Sequence, residues 1–331
     1  MQKQPKIDET DAKILHSLLN ESRTTFTEIA KECKITVNAV KSRFDRLKRD
    51  GVITGDIMQV NPQRLGFNFV ADVGIATAPE DEKKVIESLQ RKPYIIFGGP
   101  GFSWKYNISI FVAAPSVEKL ASIRNDLETD PLIKRVNTQI WVETINIDHP
   151  ENLIINSFKT SQKPHSISKK SSEDNVPPAE INKIDKQIAK ILAENARTPF
   201  SEIAKRLNIS TKNVIERYRR LRGDLLTLSA ITVDLKKLGY NCVESIQIKV
   251  SNKSEIPKLC AQLLQIPNVI VVIKIIGQYD LRIIAALPDF EEMFRLAQQI
   301  RGIQGIEELE AFPCYPFPKW PLNVFAPLLE P

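Results

Sequence analysis

Three histidines and four cysteines are all that 331 residues supply, and neither set is grouped. His16, His149 and His165 lie far apart, and Cys33, Cys242, Cys260 and Cys314 form no CxxC pair. A zinc ribbon, a disulfide framework and a histidine-centred metal or catalytic site are therefore disfavoured, and no catalytic residue, metal or cofactor is expected. Long apolar runs are also missing. Nothing approaches the ~18 consecutive apolar residues of a membrane span, and the start MQKQPKIDETD lacks the apolar stretch of a signal peptide. The expectation is a cytoplasmic protein with no membrane partner. A phosphate-binding loop is absent too: Gly98, Gly99 and Gly101 in GGPGFSW precede no Gly-Lys-Ser/Thr, and they are expected to be turn glycines.

What is present is an ordinary globular composition, 42% hydrophobic and 26% charged, in a chain long enough for two or more domains. The net charge of +6 is mild, but it is concentrated. Thr36 to Asp50 holds five basic residues against two acidic ones, and Ser210 to Asp224 repeats that ratio, so these two stretches account for the whole excess.

The two stretches belong to an internal repeat. Shifting the chain by 174 lays Ile7–Leu47 over Ile181–Leu221 without a gap, with sixteen of forty-one positions identical. The register slips by one residue and resumes, pairing Leu65 and Gly66 with Leu238 and Gly239, and Tyr106 with Tyr279. Between the copies, NSFKTSQKPHSISKKSSEDNVPP reads as a flexible linker spanning roughly 25 to 30 Å as a coil. The expected domains are a helix-turn-helix unit at 5–60, an αβ unit at 61–150, a linker at 151–179, a second helix-turn-helix at 180–234, and a second αβ unit with its tail at 235–331.

Asp8 with Asp11, and Asn182 with Asp185, are helix-start signatures before apolar residues at helical spacing. Thr25 and Glu28 form a capping-box pattern before a short second helix, where copy two has Thr198-Pro199. A third helix starts at Thr36 or Ser210, with Val40, Phe44 and Leu47 (Val214, Tyr218, Leu221) on its packed side and Gly51 or Gly223 near its stop. A four-residue turn before such a helix is the geometry that enters a major groove of double-stranded DNA. Base-edge or phosphate contacts are expected from Thr36, Asn38, Lys41, Ser42, Arg43 and Arg46, and from Ser210, Lys212, Asn213, Glu216, Arg217 and Arg220. Arg43 and Arg217 flank the packed side, where a phosphate contact is the natural role. Docking another protein, or dimerisation alone, is the alternative for the same unit.

The second half of each copy alternates strand-like and helix-like segments in the order βαββαβ, a ferredoxin-like two-layer sandwich whose open sheet face needs a cover. The fold class is therefore α+β, with two copies of a three-helix unit followed by that sandwich. Gly277, Tyr279 and Asp280 in the turn GQYD are candidates for bounding a small-molecule pocket between paired sheets; a tight hairpin with a packing tyrosine fits them equally. The proline-rich tail CYPFPKWPLNVFAPLLEP is expected to display Phe317, Trp320 and Phe325 and to lie over a sheet edge or a partner.

Together, Asp185, Ala196-Arg197, Ser201-Glu202-Ile203-Ala204, Ile209-Ser210, Val214, Arg217, Leu221 and Gly277-Gln278-Tyr279-Asp280-Leu281 resemble the Lrp/AsnC family of regulators. Copy one carries Asp11, Arg23, Glu28-Ile29-Ala30, Arg43, Leu47 and Gly51-Val52-Ile53. The resemblance implies a sequence-specific DNA-binding transcription regulator, not an enzyme. It also implies a sheet-mediated dimer, here an intramolecular pseudo-dimer that forms a homo-oligomer, with an amino acid as possible effector. Copy one departs from the family at Ser103-Trp104-Lys105-Tyr106-Asn107. Two alternatives stand beside this: a sirohaem-decarboxylase-like enzyme, since haem-precursor decarboxylases share the fold, or an effector-binding assembly module with vestigial DNA helices.

Overall fold

Each first helix begins where two side chains reciprocally satisfy the free N–H groups of its opening turn. In a computed structural model of the chain, which describes residues 5–100, 105–156 and 180–329, Asp8 Oδ1 accepts the Asp11 N–H at 2.8 Å and Asp11 Oδ2 accepts the Asp8 N–H at 3.0 Å. Asn182 and Asp185 repeat the exchange at 3.1 Å each way. These boxes start α1 (Glu9–Asn20) and its counterpart α6 (Lys183–Glu194). Thr25 and Glu28 likewise start α2 (Phe26–Cys33), whereas α7 (Phe200–Leu207) opens on Pro199 with no side-chain cap. The third helices are α3 (Val37–Arg49) and α8 (Thr211–Leu221). Gly51, with φ +72°, and Gly223, with φ +80°, follow them in the left-handed region that favours glycine.

The chain forms two compact bodies. The first gathers both three-helix units, residues 148–156 and the tail from Pro316. Its centre was not foreseen from the sequence: β1 (Ile53–Val60) and β6 (Leu226–Val233) pair antiparallel, from Ile53 opposite Val233 to Val60 opposite Leu226. All but one residue of β6 and five of the eight in β1 are buried, because α1 lies against β6 and α6 against β1. Each unit thus covers the strand of the other copy. The Ser22 N–H donates to Ser229 O at 3.0 Å, and their hydroxyls meet at 2.6 Å.

The tail does lie on a sheet edge, but of the three aromatics expected to be displayed Phe317 is half-buried and Trp320 and Phe325 are buried; Tyr315 is the exposed one. Trp320 exchanges backbone hydrogen bonds of 2.8 and 2.9 Å with Val233, and Trp320 and Phe325 are each 1% exposed. Asn323 Nδ2 donates to Ala193 O at 2.9 Å, fixing the tail to the end of α6. Residues 148–156, expected as the end of the first αβ unit and the start of the linker, pack similarly through buried Leu153 and Ile155. The rest of the linker, 157–179, lies outside the described residues, as do Gly101, Ser103 and Trp104.

The second body contains β2 (Phe69–Thr77), α4 (Glu82–Leu89), β3 (Ile95–Pro100), β4 (Ile108–Ala114), α5 (Val117–Glu128) and β5 (Ile133–Trp141) from copy one. Copy two supplies β7 (Cys242–Val250), α9 (Ile256–Leu263), β8 (Val269–Ile276), β9 (Leu281–Leu287), α10 (Phe290–Arg301) and β10 (Ile306–Cys314). The strand order is β10-β7-β9-β8-β5-β2-β4-β3, so each copy keeps the βαββαβ order and the two join where Ile140 and Trp141 of β5 meet Ile276 and Ile275 of β8. Strand alternation sends Ile75, Ile108 and Ile110 toward α4 and α5, and Ile246, Leu281 and Ile283 toward α9 and α10. Gly98 and Gly99 are not turn residues; they pair with Ile110 and Ser109 inside β3. At Gly74 a side chain has no room, since a Cβ would stand 2.9 Å from the Tyr106 ring.

The opposite sheet faces carry the polar residues and meet one another. Arg282 forms a buried ion pair with Asp72, and Gln139 Nε2 donates to Gln247 Oε1 at 3.2 Å. The face open in either sandwich alone is covered by the other copy.

Glu244 on β7 is a buried carboxylate, 3% exposed, whose Oε2 has no hydrogen-bond partner among the described residues. Burial pushes its carboxyl up to about 7, with Arg301 pulling the other way. A raised folded-state value means that the group's contribution to stability is greatest below the ordinary glutamate range and is lost as pH rises through 7. Glu244→Gln is therefore expected to stabilise the body at pH 8 by up to about 3 kcal/mol and to do little at pH 4. Thermal unfolding of both proteins at the two pH values checks this; an equal effect at both contradicts it.

Candidate nucleic-acid interface

The Thr36 hydroxyl accepts the Ala39 N–H at 3.2 Å and the Ser210 hydroxyl accepts the Asn213 N–H at 3.1 Å, so both expected N-caps begin their helices. Val40, Phe44 and Leu47 are buried on α3, and Val214 and Leu221 on α8. That packing turns Asn38, Lys41, Ser42 and Asp45 outward on α3, and Lys212, Glu216 and Arg219 outward on α8. Amide, hydroxyl, ammonium and carboxylate groups thus stand on two equivalent free faces, with the donors and acceptors that base edges require. Lys212 and Glu216 approach only to 4.0 Å, a surface contact that holds neither in place.

The flanking arginines are placed differently. Arg43 Nη1 donates to Asp8 Oδ2 at 2.6 Å and to Asp11 Oδ1 at 2.8 Å, while Arg46 Nη2 donates to Asp11 Oδ2 at 2.6 Å. Copy two repeats this: Arg217 reaches Asp185 Oδ1 at 2.8 Å and Asn182 Oδ1 at 3.2 Å, and Arg220 reaches Asp185 Oδ2 at 2.6 Å. Asn213 is half-buried and its Oδ1 accepts from Arg217 Nε at 2.6 Å. The carboxylate that caps the first helix therefore also anchors the third. Burial alone would raise the Asp185 carboxyl, but Arg217, the Asn182 N–H and Arg220 hold it below the usual range. Burial opposes and Arg43 with the Asp11 N–H prevails in the same way at Asp8.

Sequence reasoning read Asp11 and Asp185 only as capping residues. The recurrence of Asp11, Arg43 and Arg46 at Asp185, Arg217 and Arg220 marks these positions in the repeat, but their contact comes only from the fold. Arg23 and Arg197 also recur unchanged and enter the sequence reading only through the family resemblance; in the structure they cross between the copies.

In the second body the structure separates the three effector candidates from the cavity between the sheets. That cavity, about 50 Å3, is bordered by Asp72, Gln139, Gln278, Arg282 and Glu310. Tyr279 is buried and donates to Glu310 Oε2 at 2.6 Å. Asp280 accepts the Val250 N–H at 2.8 Å and pairs with Lys253. A Cβ on Gly277 would stand 3.2 Å from Thr138 O, so this turn packs closely against β5.

Residues 181–222 match the AsnC-type helix-turn-helix domain, and residues 7–54 match a winged helix-turn-helix DNA-binding domain. An uncharacterized HTH-type transcriptional regulator, PF1734 of Pyrococcus furiosus, is 32% identical over 133 residues, which is 39% of this chain and 87% of that protein. The HTH-type transcriptional regulator LrpA of Pyrococcus horikoshii is 39% identical over 89 residues, 27% of this chain; the match spans 63% of LrpA's own length. Over nearly the full chain, the siroheme decarboxylase NirDL has a similar structure, with a TM-score of 0.63, 15% identity and 97% of each chain covered. At that identity the likeness shows the fold alone.

Proposed function

The chain belongs to the Lrp/AsnC family of helix-turn-helix proteins, and from that premise we propose that it is a sequence-specific, DNA-binding transcription regulator and not an enzyme. The observation that carries the reading is the pair of capped third helices in one body, each turning an uncommitted polar face outward. Base reading is assigned to Asn38, Lys41, Ser42, Lys212 and Glu216, and the opening turns at Thr36 and Ser210 to phosphate approach. Arg43, Arg46, Arg217 and Arg220 are struts in the free protein, so a phosphate draws on them only in competition with Asp11 and Asp185. A small effector, with an amino acid as its class, and assembly into homo-oligomers belong to the same reading.

Selection of duplexes from random DNA tests it. Because the outward faces differ at Lys41 against Ile215 and Ser42 against Glu216, the expected product is an imperfect, asymmetric pair of half-sites. A perfect palindrome, or no enrichment, contradicts the proposal. In competition binding, replacing Lys41 and Lys212 together by alanine is expected to cost roughly 1–3 kcal/mol at each half-site and to relax selection at the bases they face. Unchanged affinity and selection remove both lysines from the interface.

The enzyme reading has one observation in its favour, the shared full-length fold with a siroheme decarboxylase. Against it, the second body, Leu65–Ile147 with Cys242–Tyr315, contains no histidine to stand beside a tetrapyrrole. The space between the sheets is also held by the Asp72–Arg282 pair and the Gln139–Gln247 amides around a cavity of about 50 Å3. A spectral shift on adding sirohaem to the purified protein would favour the enzyme.

A further inference from the structure

Arg23 and Arg197 occupy the same position in the two copies, and each reaches into the other copy. The Arg23 guanidinium donates to Ala196 O and, at 3.1 Å, to Thr198 O; the Arg197 guanidinium donates to Ser22 O. Each also stacks on rings across the boundary. Arg23 lies 4.1 Å over Phe200 and 5.5 Å over Tyr218, and Arg197 lies 5.1 Å over Phe26 and 5.5 Å over Phe44. Those rings form pairs of their own, Phe200 with Tyr218 at 4.9 Å and Phe26 with Phe44 at 5.2 Å, which tie α7 to α8 and α2 to α3. A guanidinium from one copy therefore touches, through one aromatic contact, the third helix of the other.

The recorded bonds of both guanidiniums go to carbonyls and ring faces rather than to carboxylates, and burial lowers the pKa of each. A surface salt bridge has neither property. What the site uses is the planar fork of arginine, which donates along its edge while its face stacks, something an ammonium does not reproduce. Asp56 Oδ1 accepts the Arg197 N–H at 3.0 Å and orients that turn.

We propose that Arg23 and Arg197 form a reciprocal clamp that fixes the separation and orientation of α3 and α8, and so sets the one half-site spacing the chain accepts. They are positioning residues, and the DNA half of the proposal rests on the regulator reading above. The clamp itself is independent of DNA, because the aromatic pairs join it directly to the two helices.

The test is a distance measurement on the full chain without DNA, with nitroxides introduced through unnatural amino acids at the exposed, equivalent positions Asp45 and Arg219, leaving the native cysteines untouched. The otherwise unaltered chain is expected to give one narrow distance distribution. R23A/R197A, with helix content retained by circular dichroism, is expected to broaden it about two-fold. R23K/R197K, which keeps charge and hydrogen bonding, is expected to broaden it too, and it serves as the reading if the alanine variant does not fold. Unlabelled R23K/R197K is then expected to accept half-site spacings that the unaltered chain rejects by ten-fold or more. A distribution as narrow and as centred in the lysine variant as in the unaltered chain overturns the clamp. If the unaltered chain binds no duplex, the regulator reading fails, while the distance distribution still decides the clamp.

Discussion

Arg282→Ala is expected to destabilise the sheet body by about 3–5 kcal/mol, the cost of breaking a buried ion pair and leaving one charge without its partner. Asp72 is 7% exposed and Arg282 8%. Asp72 Oδ1 accepts from the Ser109 hydroxyl at 3.0 Å and Arg282 Nε donates to the Ser245 hydroxyl at 3.1 Å, so the pair sits in a satisfied network across the copy boundary. Alanine at 282 strands the Asp72 carboxylate between two sheets. Replacing both charges, Asp72→Leu with Arg282→Met, is expected to recover most of the loss, since apolar residues of similar volume remove the desolvation cost of both ions. Urea unfolding, with amide exchange followed in β2 and β9, measures the effect; a loss under about 1 kcal/mol for the single variant contradicts the account.

The repeat explains why the pair is there. Asp72 is the counterpart of Ser245, and Ser109 is the counterpart of Arg282. Two copy-one sheets face to face would oppose aspartate to serine, and two copy-two sheets would oppose arginine to serine. Only unlike halves neutralise both charges, so the interface distinguishes pairing of the two copies from pairing of like copies.

In the helical body the largest single effect is expected at Asp185. Asp185→Ala removes half of the capping box of α6 and the anchor of Arg217 and Arg220 together. The lost cap accounts for about 1 kcal/mol. The charged hydrogen bonds add about 2 more, less than their full strength because both arginines can reach water once released. Asp185→Asn, which can keep the cap geometry, is expected to cost about half as much. The same carboxyl gives the body a pH dependence. Its folded-state value is depressed, so its contribution is fully present above the ordinary aspartate range and is lost as pH falls below about 4. Chemical denaturation at pH 7 and at pH 3 is expected to show a large gap between the unaltered chain and Asp185→Ala at pH 7 and a much smaller one at pH 3. A gap that persists in acid contradicts the assignment.

The helical body was legible where local chemistry writes the structure. Asp8, Thr25, Thr36 and Ser210 cap as expected because a capping signal is contained within four residues. The βαββαβ order followed from alternation, since one face of each sheet packs on helices and the other does not. β1 and β6 escaped because strands covered on both faces show no clean alternation, and their partners are about 175 residues apart. Gly98 and Gly99 read as a turn for lack of any local sign that β4 lies beside them.

The outward faces of α3 and α8 were readable for the same reason as the caps: helical spacing places the apolar residues first and leaves Asn38, Lys41, Ser42, Lys212 and Glu216 by subtraction. Arg43 and Arg217 were not. Charge patterning marks them as cations on a flank, but only the fold brings the carboxylates of Asp11 and Asp185 beneath them. The tail shows the opposite failure. The sheet edge was expected, yet Trp320 and Phe325 are buried by the edge of β6 and the end of α6, which no neighbour in sequence announces.

The most direct measurement is the affinity of the purified chain for duplex DNA between 50 and 200 mM salt, on the order of the range where counterion release is read most clearly. The expected result is a linear fall of log K with log salt, with a slope of roughly −4 or steeper, corresponding to four or more phosphate contacts from the two helix-turn-helix units. A flat line, with amino acids present or absent, contradicts the claim that α3 and α8 face a polyanion.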